Sequence, residues 1–404
     1  MGISYKRRFA LLWLGTLFSL LACTATLTRL IDPYGLYESP RWSGINMVKP
    51  RPDRSLGDIK LANALRTRPD TLILGNSRAD IGFDPKVLIQ LGLSRRPYNL
   101  AIPGSGLETN VRDLETILQH GIRPNMLVVG LEFFDYLQTG VQASKPLPAP
   151  PDDDWEGRHF RLKFQSLFTL AALGDSFATL RAQHASNPAT IREDGFNPLL
   201  DYITLASNEG YFTLFRQRGL ENARRLKSLR VPPNWSRTPD FAALERLIHL
   251  AKEFDIRLEF AIYPYHGQIL GLLQRNELLT PFTQWKQTLS KRISEAAAEG
   301  IRARLWDFSQ INHQTMEKIP ARGDRQTETR WYWEAGHFKS ALGQLMLEQM
   351  FAAANQAAPE TVGQLIAPPV TQIADMDNAL SAILRDSTDL AEDLQQISPS
   401  VTSP

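Results

Sequence analysis

The chain has 404 residues, of which 43% are hydrophobic, 9% aromatic and 22% charged. This composition excludes a largely disordered or fibrous protein and provides the apolar side chains for a large core. The 45 basic and 43 acidic residues give a formal net charge of +2, which argues against a nucleic-acid binder that relies on a strongly basic surface. The single cysteine, Cys23, excludes an intramolecular disulfide and a two-cysteine metal or redox motif.

The N-terminus has the charge pattern of an exported protein that stays in the membrane. Basic residues occupy positions 6–8, and an uncharged, largely apolar run follows at 9–28 before Arg29. Twenty helical residues span about 30 Å, the thickness of the hydrocarbon core of a bilayer. Because flanking basic residues stay on the cytoplasmic side, the pattern predicts that the chain after Arg29 is exported. We therefore predict a signal anchor, a transmembrane helix, over residues 1–30.

Two cleavage patterns are alternatives to an uncleaved anchor. The segment Ala22-Cys23-Thr24-Ala25 offers a small-x-small site for a signal peptidase. The segment Leu20-Leu21-Ala22-Cys23 loosely resembles a lipoprotein box.

Strand-like and helix-like segments alternate along much of the chain that follows. This alternation predicts an α/β fold with a mostly parallel sheet covered by helices on both faces. In chain order, the predicted elements are a helix at 56–67, a strand at 71–74, a helix at 85–91, a strand at 98–102, a helix at 108–120, a strand at 126–130, a helix at 241–254, a strand at 257–263, a helix at 270–298, a strand at 304–308 and a helix at 340–355.

The middle of the chain departs from this alternation. Residues 137–240 begin with a loop rich in Pro and Asp and then carry helical patterns at 164–182 and 211–229. We interpret this region as a helical insertion, or cap over the sheet, within an α/β domain that spans residues 31–358.

The C-terminal segment differs in composition from the rest. Residues 359–404 are rich in Ala, Pro, Ser and Gln, and their seven acidic residues face a single basic one, Arg385. Residues 373–397 could form one amphipathic helix. We predict a flexible acidic tail.

Three segments near predicted strands carry side chains capable of chemistry. Gly75-Asn76-Ser77-Arg78 directly follows the first strand, a Gly-rich loop ending at Gly106 follows the second, and Glu334 lies three residues before His337. Ligands of parallel sheets bind at the carboxyl ends of the strands. There His337 could take a proton from Ser77 while Glu334 holds the imidazole tautomer. Taken singly, each motif has an ordinary structural explanation, such as helix capping by Ser77.

Together, the motifs resemble those of the SGNH (GDSL-like) hydrolase superfamily, and more narrowly the membrane-anchored SGNH-like proteins of bacterial envelopes. The segments that carry the resemblance are DPYG at 32–35, GNSR at 75–78, YNLAIPG at 98–104, VVGLEFF at 128–134, WDFS at 306–309 and YWEAGHF at 332–338.

The resemblance implies a flavodoxin-like, three-layer αβα sandwich and a role for each matching residue. Ser77 would be the nucleophile, His337 the general base, and Glu334 the third triad member, where the superfamily usually has Asp. The amides of Ser77 and Gly104 would stabilise the oxyanion.

The third motif departs from the superfamily pattern. Where G-x-N-D is usual, this chain has Gly130-Leu131-Glu132-Phe133. A carboxylate in place of an amide donor would repel an oxyanion unless it were protonated or turned away. Loss of one such donor costs about 100- to 1,000-fold in rate.

Three residues are candidates for substrate binding. Arg78 could hold an anionic sugar or ester, or could instead pair with Asp80 or Asp84. Glu132 could position a sugar hydroxyl, and His266, just beyond the fourth strand, could line a pocket or lie on an exposed loop. The other histidines considered, His120, His159 and His313, lack ligand spacing, so we predict no metal and no cofactor.

A more literal copy of the superfamily signature occurs at Gly174-Asp175-Ser176-Phe177. The preceding residues have a helical pattern and no strand leads into this segment. We therefore favour Ser77 over Ser176 as the nucleophile.

These observations lead to one preferred function and two alternatives. The resemblance implies a serine esterase or O-acyltransferase that acts on acyl groups, most plausibly O-acetyl groups, of cell-envelope polysaccharide. It would lie in the bacterial inner membrane with a single pass through residues 9–28 and a periplasmic domain, beside envelope-biosynthesis proteins. The alternatives are a non-catalytic SGNH-like component that binds polysaccharide or scaffolds an envelope assembly, and a lipase-like enzyme acting near the bilayer.

Overall fold

The computed structural model describes residues 5–139, 154–352, 361–366 and 376–398. Its strands are β1 (Thr71–Leu74), β2 (Pro97–Asn99), β3 (Met126–Leu131), β4 (Gln138–Thr139), β5 (Leu229–Arg230), β6 (Arg257–Ile262), β7 (Ala303–Asp307), β8 (Tyr332–Glu334), β9 (His337–Phe338) and β10 (Gln364–Leu365).

Helices account for most of the remaining described chain. They are α1 (Tyr5–Ile31), α2 (Leu56–Thr67), α3 (Ser77–Gly82), α4 (Pro85–Gln90), α5 (Leu107–Gln119), α6 (Trp155–Phe168), α7 (Leu170–Ala182), α8 (Leu200–Glu209), α9 (Tyr211–Ser228), α10 (Pro239–Glu253), α11 (Gly267–Arg275), α12 (Leu279–Ala298), α13 (Ser340–Phe351), α14 (Met376–Asp386) and α15 (Thr388–Ile397). Short 3₁₀ turns cover Phe133–Tyr136 and Trp235–Arg237.

A six-stranded sheet forms the centre of the fold, in the order β10-β7-β6-β3-β1-β2. The pairs among β2, β1, β3, β6 and β7 are all parallel, and β10 alone pairs antiparallel, with β7. The four residues of β1 are buried, as are five of the six in β3, which fits strands covered by helices on both faces. The predicted α/β fold with a mostly parallel sheet is confirmed.

Several local predictions are confirmed closely. The helix at 56–67 and the strand at 71–74 have the predicted bounds, and α4 begins with Asp84 as N-cap and Pro85 in the first turn. The Asp84 side chain accepts a hydrogen bond from the Lys86 amide at 2.8 Å, so the capping chemistry that predicted this helix also forms in the structure.

Two predicted helices are each broken into two. The pattern at 164–182 becomes α6 and α7, separated at Thr169, which is extended and whose hydroxyl accepts from the Ala172 amide. The pattern at 270–298 becomes α11 and α12, and Glu277 between them has a left-handed φ of 58°. Hydrophobic periodicity continued through both breaks and could not reveal them.

Residues 155–228 of the middle region are mostly helical, in line with the helical patterns read from the sequence, but these helices do not all cover the sheet. Helices α6 and α7 pack against α1, and α6 also packs against α2, whereas α9 packs against α11 and β8. Helix α8, which the sequence patterns did not predict, lies between them in the chain. Residues 140–153, the Pro- and Asp-rich part of this region, lie outside the described residues.

The prediction of a flexible C-terminal tail is wrong for the parts of it that the structure describes. Strand β10 extends the central sheet, and α14 and α15 pack against α11 and α12. Met376, Leu380, Leu394 and Ile397 are buried in the core. The single amphipathic helix expected at 373–397 is instead the pair α14 and α15 within the described residues. Their buried apolar side chains hold both helices against the domain.

Helix α1 is long and apolar enough to cross a membrane, with a mean hydropathy of 1.8 over its most apolar window. The side chains in the first two thirds of this helix are exposed. Only Thr28 and Ile31, near its C-terminal end, are buried.

Candidate functional site

The nucleophile candidate lies at the carboxyl end of β1. Gly75 has a φ of 149°, and a Cβ there would meet the Tyr263 hydroxyl and the Ala79 side chain, so the turn requires glycine. Asn76 then caps α3, accepting from the Arg78 amide at 3.0 Å. Ser77 is therefore the first helical residue, and its N–H has no partner within the helix.

Glu334 and His337 lie on a short β-hairpin. Strands β8 and β9 pair antiparallel, with Glu334 opposite His337 across the turn Ala335-Gly336. The Gly336 amide donates to Glu334 Oε2 at 2.7 Å, which fixes the carboxylate at the turn.

The hairpin brings these two residues to Ser77, 260 positions away in the chain. Ser77 Oγ lies 2.8 Å from His337 Nε2, and His337 Nδ1 contacts Glu334 Oε1. Burial alone would raise the pKa of Glu334, but the charge and hydrogen bond of His337, with the Gly336 amide, lower it below its usual value. The three side chains form a hydrogen-bonded Ser-His-Glu arrangement, and the proximity predicted from their order is confirmed.

The surrounding structure fixes this hairpin from two sides. The carboxylate of Glu317 accepts from the backbone amides of Trp331, at 3.0 Å, and Tyr332, at 3.1 Å. On the other side, α3 and β9 approach so closely that a Cβ at Gly82 would overlap the Phe338 ring, and only glycine fits there. The same helix that carries Ser77 therefore positions the strand that carries His337.

Glu132, where the resemblance fails, is not a free carboxylate. It is buried to 2% exposure and forms an ion pair with the guanidinium of Arg78. Its Oε1 accepts from the Tyr265 hydroxyl and, at 3.3 Å, from the Phe134 amide. The pair with Arg78 neutralises the charge that would otherwise oppose an oxyanion.

Arg78 itself is nine-tenths buried and pairs with neither alternative partner considered from the sequence. Asp80 pairs with Lys60 at 2.5 Å, and Asp84 pairs with Arg192. Arg78 and Glu132 both lie at the site, but they form an ion pair with each other. Neither side chain therefore presents an unneutralised charge to a ligand.

Two tyrosines that sequence reasoning missed organise this corner. The Arg78 guanidinium lies over the rings of Tyr263, 5.9 Å from the centroid, and Tyr265, at 5.5 Å. The Tyr263 hydroxyl also accepts from the Asn76 amide at 3.4 Å. Their place at the end of the fourth predicted strand was the available signal, because that position lies at the carboxyl edge of the sheet.

Sequence reasoning also missed two aspartates beside the nucleophile turn, Asp240, which is buried, and Asp135, which is partly buried. Asp135 and Asp240 line a small polar cavity together with Asn76, Ser105 and Tyr136. Burial, reinforced by the charge of Asp240, raises the pKa of Asp135 to about 7, although Arg78, Arg225 and a hydrogen bond with Asn76 oppose the shift. Burial likewise raises the pKa of Asp240 to about 6. A hydrogen bond that the Leu107 amide donates to Asp240 Oδ1 at 2.8 Å opposes this shift.

The predicted oxyanion donor Gly104 lies on the β2–α5 loop, which reaches the same edge. The Ile102 amide donates to Gly75 O at 3.0 Å, and Ser105 Oγ lies 3.3 Å from that oxygen. Gly104 between them is exposed, with a left-handed φ of 76°. Its loop is therefore fixed beside the nucleophile turn, while its role as a donor stays a prediction.

His266 is buried rather than on an exposed loop, and it lines a cavity together with Met316 and Glu317. Its Nε2 contacts the Glu317 carbonyl at 2.7 Å, and Nδ1 accepts from the Gln268 amide as the N-cap of α11. Burial lowers its pKa to about 4, partly opposed by the Glu317 carbonyl and the charge of Glu334. With both ring nitrogens engaged within the protein, His266 supports the fold around Glu317 and leaves no nitrogen for a substrate.

The rejected signature at Ser176 is helical, as its pattern predicted. Ser176 lies within α7, is buried, and donates to the Ala172 carbonyl at 2.8 Å. In the described parts of the chain, no group of three or more His, Cys, Asp or Glu side chains has the arrangement of a metal site.

Comparison of the chain with protein-family models, with curated proteins and with solved structures finds no match.

Proposed function

We propose that this chain is a membrane-anchored, SGNH-like serine esterase or O-acyltransferase that acts on acyl groups, in particular O-acetyl groups, of cell-envelope polysaccharide. The observation that carries the proposal is the Ser77–His337–Glu334 arrangement at the carboxyl edge of the sheet. The order of the five parallel strands, β2-β1-β3-β6-β7, has the form 2-1-3-4-5 of flavodoxin-like folds and supports the proposed three-layer sandwich. The substrate class comes from the motif resemblance, whereas the proposed export of the domain rests on the basic residues at 6–8 before the apolar run.

The geometry supports a two-step acyl transfer. Ser77 Oγ attacks the acyl carbon while its proton passes to His337 Nε2, and Glu334 holds the proton on Nδ1. The tetrahedral intermediate collapses, and the departing sugar oxygen takes the proton from His337. Water, or a second sugar hydroxyl, then attacks the acyl-serine and gives its proton to His337. The bond between the acyl carbon and Ser77 Oγ breaks, Oγ takes the proton from His337, and a carboxylic acid or a new ester leaves.

The oxyanion would meet the amides of Ser77 and Gly104. The Arg78–Glu132 pair stands where the superfamily has an amide donor, and its net charge is close to zero. This replacement favours slower hydrolysis of simple esters than a complete three-donor site would give. It is also the observation that favours the second candidate function, a non-catalytic polysaccharide-binding component.

A serine-directed fluorophosphonate distinguishes the two candidates on the full-length protein purified from membranes in detergent. We expect the reagent to label Ser77, with labelling abolished by Ser77→Ala and strongly reduced by His337→Ala. Ser176→Ala is the matched control and should label like the wild type, because Ser176 is buried within α7.

The same variants are then assayed for hydrolysis of an aryl acetate. Labelling and hydrolysis that both depend on Ser77 support the enzyme. A folded wild type that is neither labelled nor active, and is indistinguishable from Ser77→Ala, would favour the binding component.

A further inference from the structure

Helices α6 and α7 expose an unusual number of large apolar side chains. Phe160 is 74% exposed, Phe164 54%, Leu170 85% and Phe177 52%. Scattered exposed apolar residues are normal in soluble proteins, but this many on one pair of packed helices is typical of an interaction surface. We call Phe160, Phe164, Phe168, Leu170 and Phe177 the α6–α7 apolar face.

This face has the pattern of a helix that lies in a membrane surface. Phe160, Phe164 and Phe168 are spaced four residues apart and form one stripe along α6, with the rings of Phe164 and Phe168 5.1 Å apart. Exposed Arg161 and Lys163 flank the stripe on its two sides. A phenylalanine stripe bordered by basic side chains suits the boundary between acyl chains and phosphate headgroups.

The opposite sides of α6 and α7 pack against the rest of the protein, so the exposed face has a fixed direction. Trp155, Leu162 and Ser166 of α6 are buried, as are Ala172 and Thr179 of α7. The apolar face is therefore held outward by packing on its reverse side.

Contacts with α1 give the height of this face relative to a bilayer. The Thr28 hydroxyl lies 3.3 Å from the Leu167 carbonyl at the end of α6. The Tyr37 hydroxyl, just beyond α1, donates to the Lys163 carbonyl at 2.9 Å. Because the uncharged run of α1 ends at Thr28, a bilayer spanned by residues 9–28 has its surface at the level of the α6–α7 turn.

A loop on the same end of α1 repeats the pattern. Trp42 is 40% exposed and Met47 48%, and Asn46 between them donates to the carbonyls of Leu30 and Ile31, each at 3.3 Å. Exposed apolar side chains thus surround the point at which α1 joins the domain.

We propose that the α6–α7 apolar face is a second membrane contact, which lies in the surface of the bilayer that α1 spans. Its apolar side chains enter the boundary of the acyl chains, and Arg161 and Lys163 lie among the lipid phosphates. The contact gives the domain a second point of attachment to the membrane and so fixes its orientation there. The proposal depends on the span of α1 and is independent of the serine chemistry.

The test is a depth measurement by spin labelling of the full-length protein in vesicles of phosphatidylcholine and phosphatidylglycerol. One sample carries the label on the native Cys23, within α1. Two others combine Cys23→Ser with Phe164→Cys or, as the matched control, with Gln344→Cys, an exposed polar position on α13. Accessibility to oxygen, which concentrates in the bilayer, is compared with accessibility to a water-soluble nickel chelate.

We expect the labels at positions 23 and 164 to favour oxygen and the label at position 344 to favour the nickel chelate. A label at 164 that favours the nickel chelate, while the label at 23 reports the bilayer, would overturn the proposal. Shielding of position 164 from both reagents, with spin–spin broadening, would also overturn it and assign the face to a second copy of the chain. A label at position 23 that favours the nickel chelate would remove the membrane span on which the proposal depends.

Discussion

Soluble proteins usually bury apolar side chains and expose charged ones. The edge of the sheet around Ser77 instead buries charged side chains, and the helices beside α1 expose apolar ones. At the sheet edge, Arg78 and Glu132 are buried almost completely, and burial of charge opposes folding. Beside α1, Phe160 and Leu170 remain largely exposed, which forgoes the stabilisation that burial would give. Neither arrangement is explained by stability of the folded chain. The difference fits the two proposals, in which the first region carries out chemistry within the protein and the second contacts the membrane outside it.

The largest effect is expected at the triad. Glu334→Gln keeps the size of the side chain but no longer holds the imidazole tautomer through a carboxylate, so the rate of aryl acetate hydrolysis should fall on the order of 10⁴-fold. Glu328→Gln, an exposed change near the same hairpin, is the control and should leave the rate unchanged. A Glu334→Gln protein with a nearly wild-type rate would contradict the assigned role of Glu334.

Stability should respond next most strongly to the Arg78–Glu132 pair. Arg78→Met or Glu132→Gln alone leaves one buried group without its partner and should lower the free energy of unfolding by about 3–5 kcal/mol. The double substitution removes both charges and should recover much of that loss. Urea unfolding in detergent gives the comparison, and losses that simply add in the double variant would show that the two groups are independent.

Stability should also depend on pH through Asp135, by at most about 4 kcal/mol. Burial, aided by Asp240, raises the pKa of Asp135 to about 7, so the folded protein favours the protonated carboxyl. The resulting stabilisation is fully present below the unfolded value near 4 and is lost as the pH rises through 7. Relative to Asp135→Asn, the wild type should therefore lose free energy of unfolding between about pH 4 and 7; parallel pH profiles of the two proteins would refute this.

The smallest effect is expected in the α6–α7 apolar face. Phe164→Ala should change the free energy of unfolding in detergent by no more than about 0.5 kcal/mol, because the side chain is mostly exposed. Leu162→Ala, two residues away on the buried side of α6, should cost about 2–5 kcal/mol. Similar losses for the two variants would show that Phe164 belongs to the core and would remove the contrast between the two regions.

Local patterns predicted much of this protein because local physics controls them. The short apolar run at 71–74, stopped by Gly75-Asn76, favours a buried strand, and Asp84-Pro85 supplies both an N-cap and a proline with a preset φ in the first turn. Breaks were less predictable. Thr169 and Glu277 interrupt helices whose apolar spacing continues, because the break depends on which neighbours each half packs against.

The tail shows the same limit in another form. Its composition resembles that of a disordered segment, and the prediction of flexibility followed from it. Nevertheless, Met376 and Leu394 are buried, and the buried Lys286 amine lies 3.4 Å from the Met376 sulfur. A few apolar residues are enough when a groove to receive them already exists, and the groove is made by distant parts of the chain.

The sequence by itself determined the apolar helix at the N-terminus, the alternation that builds a parallel sheet, and the identity and order of Ser77, Glu334 and His337. These are properties of neighbouring residues and of strand order, which places the ends of parallel strands on one edge. Tertiary structure alone decided that Arg78 neutralises Glu132, that His266 is enclosed, and that α6 turns its phenylalanines outward beside α1. Each of these outcomes depends on which charged or apolar group from a distant segment of the chain packs at a given position. Local sequence patterns do not specify the free energy of such long-range contacts.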